Sequence, residues 1–172
     1  MKKNFIFFVI VSAFAAVSAE KPYNLLVIQT DEHHFKTLGC YGGKIVKTPN
    51  IDWIAKNGAI ATSFYATTPV CSPSRGALMS GKYPQHTPVT NNNIKLGDDI
   101  VTFAEVLRRK GYATGYAGKW HLDGSERGGF APPGPRRQGF DFWAVGNCTH
   151  SYTNSLYYRD TPEPLYWDGY DA

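Results

Sequence analysis

The segment Thr102-Phe103-Ala104-Glu105-Val106-Leu107-Arg108-Arg109-Lys110-Gly111 runs on into Tyr112-Ala113-Thr114-Gly115-Tyr116-Ala117-Gly118-Lys119-Trp120-His121. Its first half reads as a helix over 102–110, because Phe103, Val106 and Leu107 share one face at helical spacing. Gly111 stands where a helix commonly ends in a left-handed residue. A short strand is expected over 113–117, with Lys119 and His121 directly after it. A helix leading into a strand is half of the repeating unit of an α/β fold. Ligands of such folds bind beyond the carboxyl ends of the strands. A lysine and a histidine at that exit are therefore candidate site residues.

The same arrangement is expected upstream. Residues 24–29 (NLLVIQ) are a short apolar run with branched residues, as in a strand buried on both faces, and Asp31 and Glu32 follow it. Thr48 and Pro49 supply a helix cap and a first-turn proline. Ile51, Ile54 and Ala55 then recur at helical spacing until Asn57-Gly58 stops the helix. Residues 59–65 read as a second strand. A turn through Thr67, Thr68 and Pro69 leads to a helix over 72–79, ended by Gly81. Residues 124–139, rich in Gly, Pro and Arg, read as a loop in which Arg136 and Arg137 are by default solvated charge, the other reading being contact with anionic substrate groups. Residues 140–172 are aromatic and show no assignable pattern. The expectation is an α/β domain with a largely parallel sheet flanked by helices, and no internal repeats.

Residues 1–19 have the form of a signal peptide. Lys2 and Lys3 precede an apolar run over 5–17, and Val17-Ser18-Ala19 is a small-residue cleavage site. The run is shorter than the roughly 20 apolar residues of a membrane span. Export to the periplasm or the medium follows, leaving residues 20–172 as one compact domain. Removal of Lys2 and Lys3 takes the formal charge from +4 to +2. So small a balance gives no footprint for nucleic acid or for an anionic membrane surface. A hydrophobic content of 42% and an aromatic content of 15% exclude disorder. The three cysteines, Cys40, Cys71 and Cys148, allow at most one internal disulfide, so at least one thiol is left over.

Cys71-Ser72-Pro73-Ser74-Arg75 is where a thiol meets chemistry. Proline is tolerated only in the first turn of a helix, so Cys71 sits at or just before the helix start. Free N–H groups and the helix dipole favour an anion there. Arg75, four residues on, lies on the same face one turn later. An oxyanion ester would meet a nucleophile, backbone donors and a guanidinium fork together. The spacing alone fits an ordinary capped helix with a solvated arginine equally well.

Longer blocks resolve that choice. The run Pro69-Val70-Cys71-Ser72-Pro73-Ser74-Arg75, continuing through Met79, Gly81 and Pro84, resembles the signature of type I sulfatases. Residues 24–31, the pair of segments 38–42 (LGCYG) and 48–52 (TPNID), and residues 118–122 (GKWHL) resemble further blocks of that family, in the same order. The resemblance implies an alkaline-phosphatase-like fold, incomplete in this chain. It implies oxidation of Cys71 to formylglycine by the cell's modifying machinery. One hydroxyl of the hydrated aldehyde then attacks the sulfur of a sulfate monoester and expels the alcohol. The other loses its proton, and collapse of the adduct releases sulfate and restores the aldehyde, a difficult hydrolysis split into two easier steps. Lys119 is implied to hold a sulfate oxygen, and His121 to hydrogen-bond the hydrate and help remove its proton, a task suited to imidazole. Asp31, Glu32 and the group made from Cys71 are implied calcium ligands. Glu32 stands where the family usually has Asp or Gln.

The expected substrate is a sulfated small molecule or carbohydrate. Family members are much longer, and the resemblance places further calcium ligands, a lysine and a histidine later in their chains. The expectation is therefore a truncated N-terminal portion with little activity alone. Two other readings share these residues: a phosphate or phosphonate monoester hydrolase of the same superfamily, and an exported binding module without catalysis. His33 and His34 beside the acidic pair, Trp120, and the glycosylation-like triplet Asn147-Cys148-Thr149 complete the residues of interest.

Overall fold

The computed structural model describes residues 23–124 and 128–170. The expected signal peptide, residues 1–19, lies outside the described residues, as do residues 125–127 of the expected loop. Internal contacts divide the chain into two compact units that meet at Ile60 and Ala61.

In the first unit the expected helix is present as α1 (Pro49–Asn57), with proline in its first turn and Asp52 near its positive end. Two short 3-10 turns, Phe35–Thr37 and Gly39–Tyr41, precede it. Asp52 ties them to the helix: its Oδ1 accepts from the backbone N–H of Cys40 at 2.7 Å and from the Thr48 hydroxyl at 3.1 Å. Thr48 Oγ1 in turn accepts from Gly39 N–H at 2.9 Å. The expected strand over 24–29 is corrected. These residues form no regular element and are exposed. An apolar run becomes a strand only where another strand completes its hydrogen bonds, and no described residue pairs with this one.

The second unit holds the other long elements: α2 (Cys71–Ser80), α3 (Phe103–Arg109), β1 (Gly115–Lys119) and β2 (Phe142–Gly146). Residues 59–65, expected as a strand, form none. α2 ends in Gly81 in the left-handed conformation, as its position predicts. α3 opens with a reciprocal cap. Thr102 Oγ1 accepts from Glu105 N–H, and Glu105 Oε2 accepts from Thr102 N–H. β1 begins two residues later than expected and pairs in parallel with β2, Gly115 opposite Phe142 through Lys119 opposite Gly146. β2 arises within the unassigned aromatic tail. A short antiparallel pair, β3 (Leu156–Tyr157) and β4 (Leu165–Tyr166), follows it.

Helices beside a parallel ladder confirm the α/β class. The core gathers Val89, Leu96, Ile100, Ala104, Trp120, Leu122, Trp143 and Val145. Its aromatic centre packs edge to face: the Trp120 and Trp143 rings lie 5.3 Å apart, and the Tyr116 ring lies 5.2 Å from Phe140. Trp120 is thus a packing residue. Among the described residues no helix is long and apolar enough to cross a membrane.

The loop expected over 124–139 contains a 3-10 turn, Pro135–Arg137, and Arg137 is not solvated. It is 2% exposed, lies 5.3 Å above the Trp143 ring and donates to Asp160 Oδ1 at 2.8 Å and to the Ala131 carbonyl at 3.2 Å. Stacking on tryptophan and satisfied donors offset the desolvation of that charge. Arg136 pairs with the buried carboxylate of Asp123 through two nitrogens.

Candidate active site

α2 places Cys71 at its first residue, at the positive end of the helix dipole. Val70, the capping position, gives no side-chain acceptor. Asn92 supplies it from elsewhere: its Oδ1 accepts from Ser72 N–H at 3.0 Å. Pro73, two residues after Cys71, lacks an N–H and loses nothing in the first turn.

β1 carries Lys119 to the same place. Its Nζ stands 3.9 Å from Cys71 Sγ, so a cation of the strand exit faces the atom that heads the helix. Arg75 is 6% exposed and binds β1 more directly than the sequence spacing suggested. Its Nη1 donates to the Lys119 carbonyl at 2.6 Å and to the Tyr116 hydroxyl at 3.2 Å, and Tyr116 also donates to that carbonyl at 2.7 Å. A guanidinium edge thus holds the backbone that aims Lys119. Charge-assisted bonds of this kind are about twice as strong as neutral ones.

His121 lies buried just past β1, with a left-handed φ of 56°. A non-glycine residue there carries strain that surrounding contacts must hold. Those contacts are explicit. His121 N–H donates to the Asn147 carbonyl at 2.6 Å, its carbonyl accepts from Ser72 Oγ at 2.7 Å, and its Nε2 meets Asn93 Oδ1 at 3.0 Å. Cys71, Arg75, Lys119 and His121 are therefore brought together within one unit, at the carboxyl end of β1 and the amino end of α2.

Asp31 and Glu32 lie in the first unit, both exposed, with Glu32 at a φ of 52°. Among the described residues no three His, Cys, Asp or Glu side chains converge on one point. Two adjacent carboxylates are hard oxygen donors, which suits calcium better than a softer metal, and they supply part of the 6–8 oxygens that calcium takes. His33 Nε2 bonds the Thr37 hydroxyl and His34 caps the Phe35–Thr37 turn, so both serve local structure. Asn147 and Cys148 are buried, which removes the glycosylation-like triplet from the surface.

Ser72, Asn92, Asn93 and Tyr116 were not singled out from the sequence. Only Ser72 stood within a recognised motif. The two asparagines, at 20 or more residues from their partners, leave no local signal beyond the turn-forming run Asn91-Asn92-Asn93.

Comparison with known proteins shows the family. The family model Sulfatase matches residues 23–172. The chain is 42% identical over 148 residues to an ulvan-active sulfatase of Formosa agariphila, covering 86% of this chain and 29% of that protein. It is 39% identical to human arylsulfatase A over 134 residues, covering 73% of this chain and 25% of the relative. Among solved structures, a sulfatase of Bacteroides fragilis superposes with a TM-score of 0.70 at 31% identity, covering 77% of this chain and 34% of that one. Another, solved with its substrate D-glucosamine-2-N,6-O-disulfate, superposes with a TM-score of 0.68 at 31% identity, covering 81% of this chain and 26% of that one. The chain thus spans between about a quarter and a third of the length of these relatives. With the family model matched across all the described residues, this chain belongs to the sulfatase family.

Proposed function

We propose that this chain carries the nucleophile of an exported sulfatase that hydrolyses sulfate monoesters of carbohydrates. The observation that carries the reading is Lys119 Nζ standing 3.9 Å from Cys71 Sγ at the first residue of α2. A thiol facing a lysine ammonium and the positive end of a helix is an anion site with a reactive atom at its centre. Converted to formylglycine, Cys71 supplies a hydrated aldehyde, whose two hydroxyls permit attack on sulfur and later release of sulfate.

The other residues act around that atom. Lys119 neutralises a sulfate oxygen as negative charge builds on it. Arg75 fixes the Lys119 backbone, so the ammonium is held in place before substrate arrives. His121, fixed at backbone and ring, takes the proton that must leave for sulfate to be released. Within the first unit, Asp31 and Glu32 are the oxygen donors that would take a calcium ion, whose chemistry is charge neutralisation. The substrate class rests on two relatives: one is named an ulvan-active sulfatase, and another was solved with a disulfated glucosamine. The lysine-led apolar segment over 1–19 supports export. Because Asp31 and Glu32 offer only part of a calcium shell, the 172-residue chain alone is expected to turn over sulfate esters slowly.

Mass spectrometry of the peptide containing Cys71, from cells with the modifying machinery, tests the reading. The expected result is an aldehyde in place of the thiol. An unmodified cysteine would leave a binding module without this chemistry. Paired aryl sulfate and aryl phosphate esters separate the remaining alternative, with sulfate expected to be the faster substrate.

A further inference from the structure

The hydrogen bond between Asn93 and His121 fixes more than the position of the ring. A side-chain amide oxygen can only accept, so the 3.0 Å contact of Asn93 Oδ1 with His121 Nε2 is a hydrogen bond when the hydrogen is on Nε2. In the neutral ring that leaves the lone pair on Nδ1. We propose that Asn93 is a positioning residue that holds His121 as the Nε2–H tautomer, which leaves the buried Nδ1 as the ring's acceptor. The proposal rests on the sulfatase reading for its role in turnover, but not for the tautomer itself.

Three features make Asn93 suited to this task. It adopts a left-handed φ of 63°, a conformation that asparagine tolerates and most residues do not, so its side chain is presented from a tight turn. Its backbone N–H lies 3.4 Å from Ser72 Oγ, the same hydroxyl that donates to the His121 carbonyl. The neighbouring Asn92 binds Ser72 N–H at the head of α2. One turn therefore registers the ring of His121, its backbone and the start of the nucleophile helix against one another. The device also survives the proton cycle. Imidazolium carries hydrogen on both nitrogens, so Asn93 Oδ1 remains an acceptor when Nδ1 gains its proton. Nothing at this contact has to reorganise during the transfer. A neutral amide does this without the strong bias toward imidazolium that a carboxylate would impose. Charged or titratable groups on the elements around His121 are Cys71 and Arg75 on α2, Tyr116 and Lys119 on β1, Cys148 beyond β2, and Asp123, which is bound to Arg136.

Histidine side-chain 15N spectra of the chain, recorded across pH, test the assignment, with the His121 resonances identified by their loss in His121→Gln. Above its titration midpoint, the parent's His121 is expected to carry its hydrogen on Nε2. Asn93→Ala should give a mixture of tautomers. Asn93→Asp, which keeps an oxygen acceptor of the same size, should retain the Nε2–H tautomer and raise the titration midpoint by bringing a negative charge to the ring. Thermal melts accompany each variant, and if Asn93→Ala does not fold, Asn93→Asp decides. In aryl sulfate turnover Asn93→Ala should lower kcat about tenfold or more with KM little changed, within the roughly 10²–10⁴-fold that a positioned acid or base contributes. A parent His121 with hydrogen on Nδ1 overturns the proposal. So does an Asn93→Asp midpoint equal to that of the parent. If Cys71 stays unmodified while the Nε2–H tautomer and its response to Asn93 hold, the sulfatase reading fails and the Asn93–His121 assignment stands.

Discussion

Ser72 shows how much depends on one small side chain beside the nucleophile. It is fully buried, donates to the strained His121 backbone, accepts from Asn93 and receives the Asn92 bond at its own N–H. Ser72→Ala fits the space but leaves the buried His121 carbonyl without that donor, a cost of about 1–3 kcal/mol. Thermal unfolding of the variant should show a Tm lowered by several degrees, and an unchanged Tm would mean the bond contributes nothing net. Arg75 makes a second case. Arg75→Lys keeps the charge but loses the guanidinium reach by which Nη1 alone serves both the Lys119 carbonyl and the Tyr116 hydroxyl. The expected outcome is weaker capture of sulfate esters, read as a several-fold rise in KM, because Lys119 is then less firmly aimed.

At the level of helices and strands, the contacts explain which parts could be read in advance. α1, α2 and α3 were legible because their signals are local: prolines in the first turn, apolar spacing, and Gly58, Gly81 and Gly111 at or beside their ends. β1 was displaced by two residues because Gly115 and Gly118 break its pattern and its register is set by a distant partner, residues 142–146. β2 does carry a local trace, since Trp143 and Val145 alternate inward between less buried neighbours, yet it was obscured by the aromatics around it. Gly139 shows the price of such long-range packing. Its φ is +92°, and an added Cβ would lie 2.6 Å from the backbone nitrogen of Glu105 in the first turn of α3. Gly139→Ala therefore meets backbone on one side and left-handed strain on the other. It should destabilise the second unit by at least about 2 kcal/mol, measured as a lower urea midpoint at unchanged slope. A wild-type midpoint would show that the turn can move aside freely.

Across the molecule the two units differ in what holds them. The second has a buried aromatic centre, a paired ladder from Gly115 to Lys119, and Arg137 sealed over Trp143. In the first, Leu25, Leu26, Val27 and Ile28 are exposed, and so are Ile51, Trp53 and Ile54 of α1. The acidic pair Asp31-Glu32 lies just beyond the first of these groups, so the motif residues of the chain fall in settings of very different rigidity. Amide exchange separates the two settings directly, because local opening costs range from near zero in exposed, unpaired segments up to the global stability in a packed core. Amides of residues 116–121 and 143–146 should exchange slowest, with Trp120 N–H and His121 N–H protected by the carbonyls of Gly146 and Asn147. Residues 24–30 and 62–66 should exchange within the earliest time points. Equal protection of residues 24–28 and of β1 would mean that the apolar run is paired after all. Fast exchange at Trp120 and His121 would mean that the strand exit does not hold Lys119 and His121 ready for chemistry.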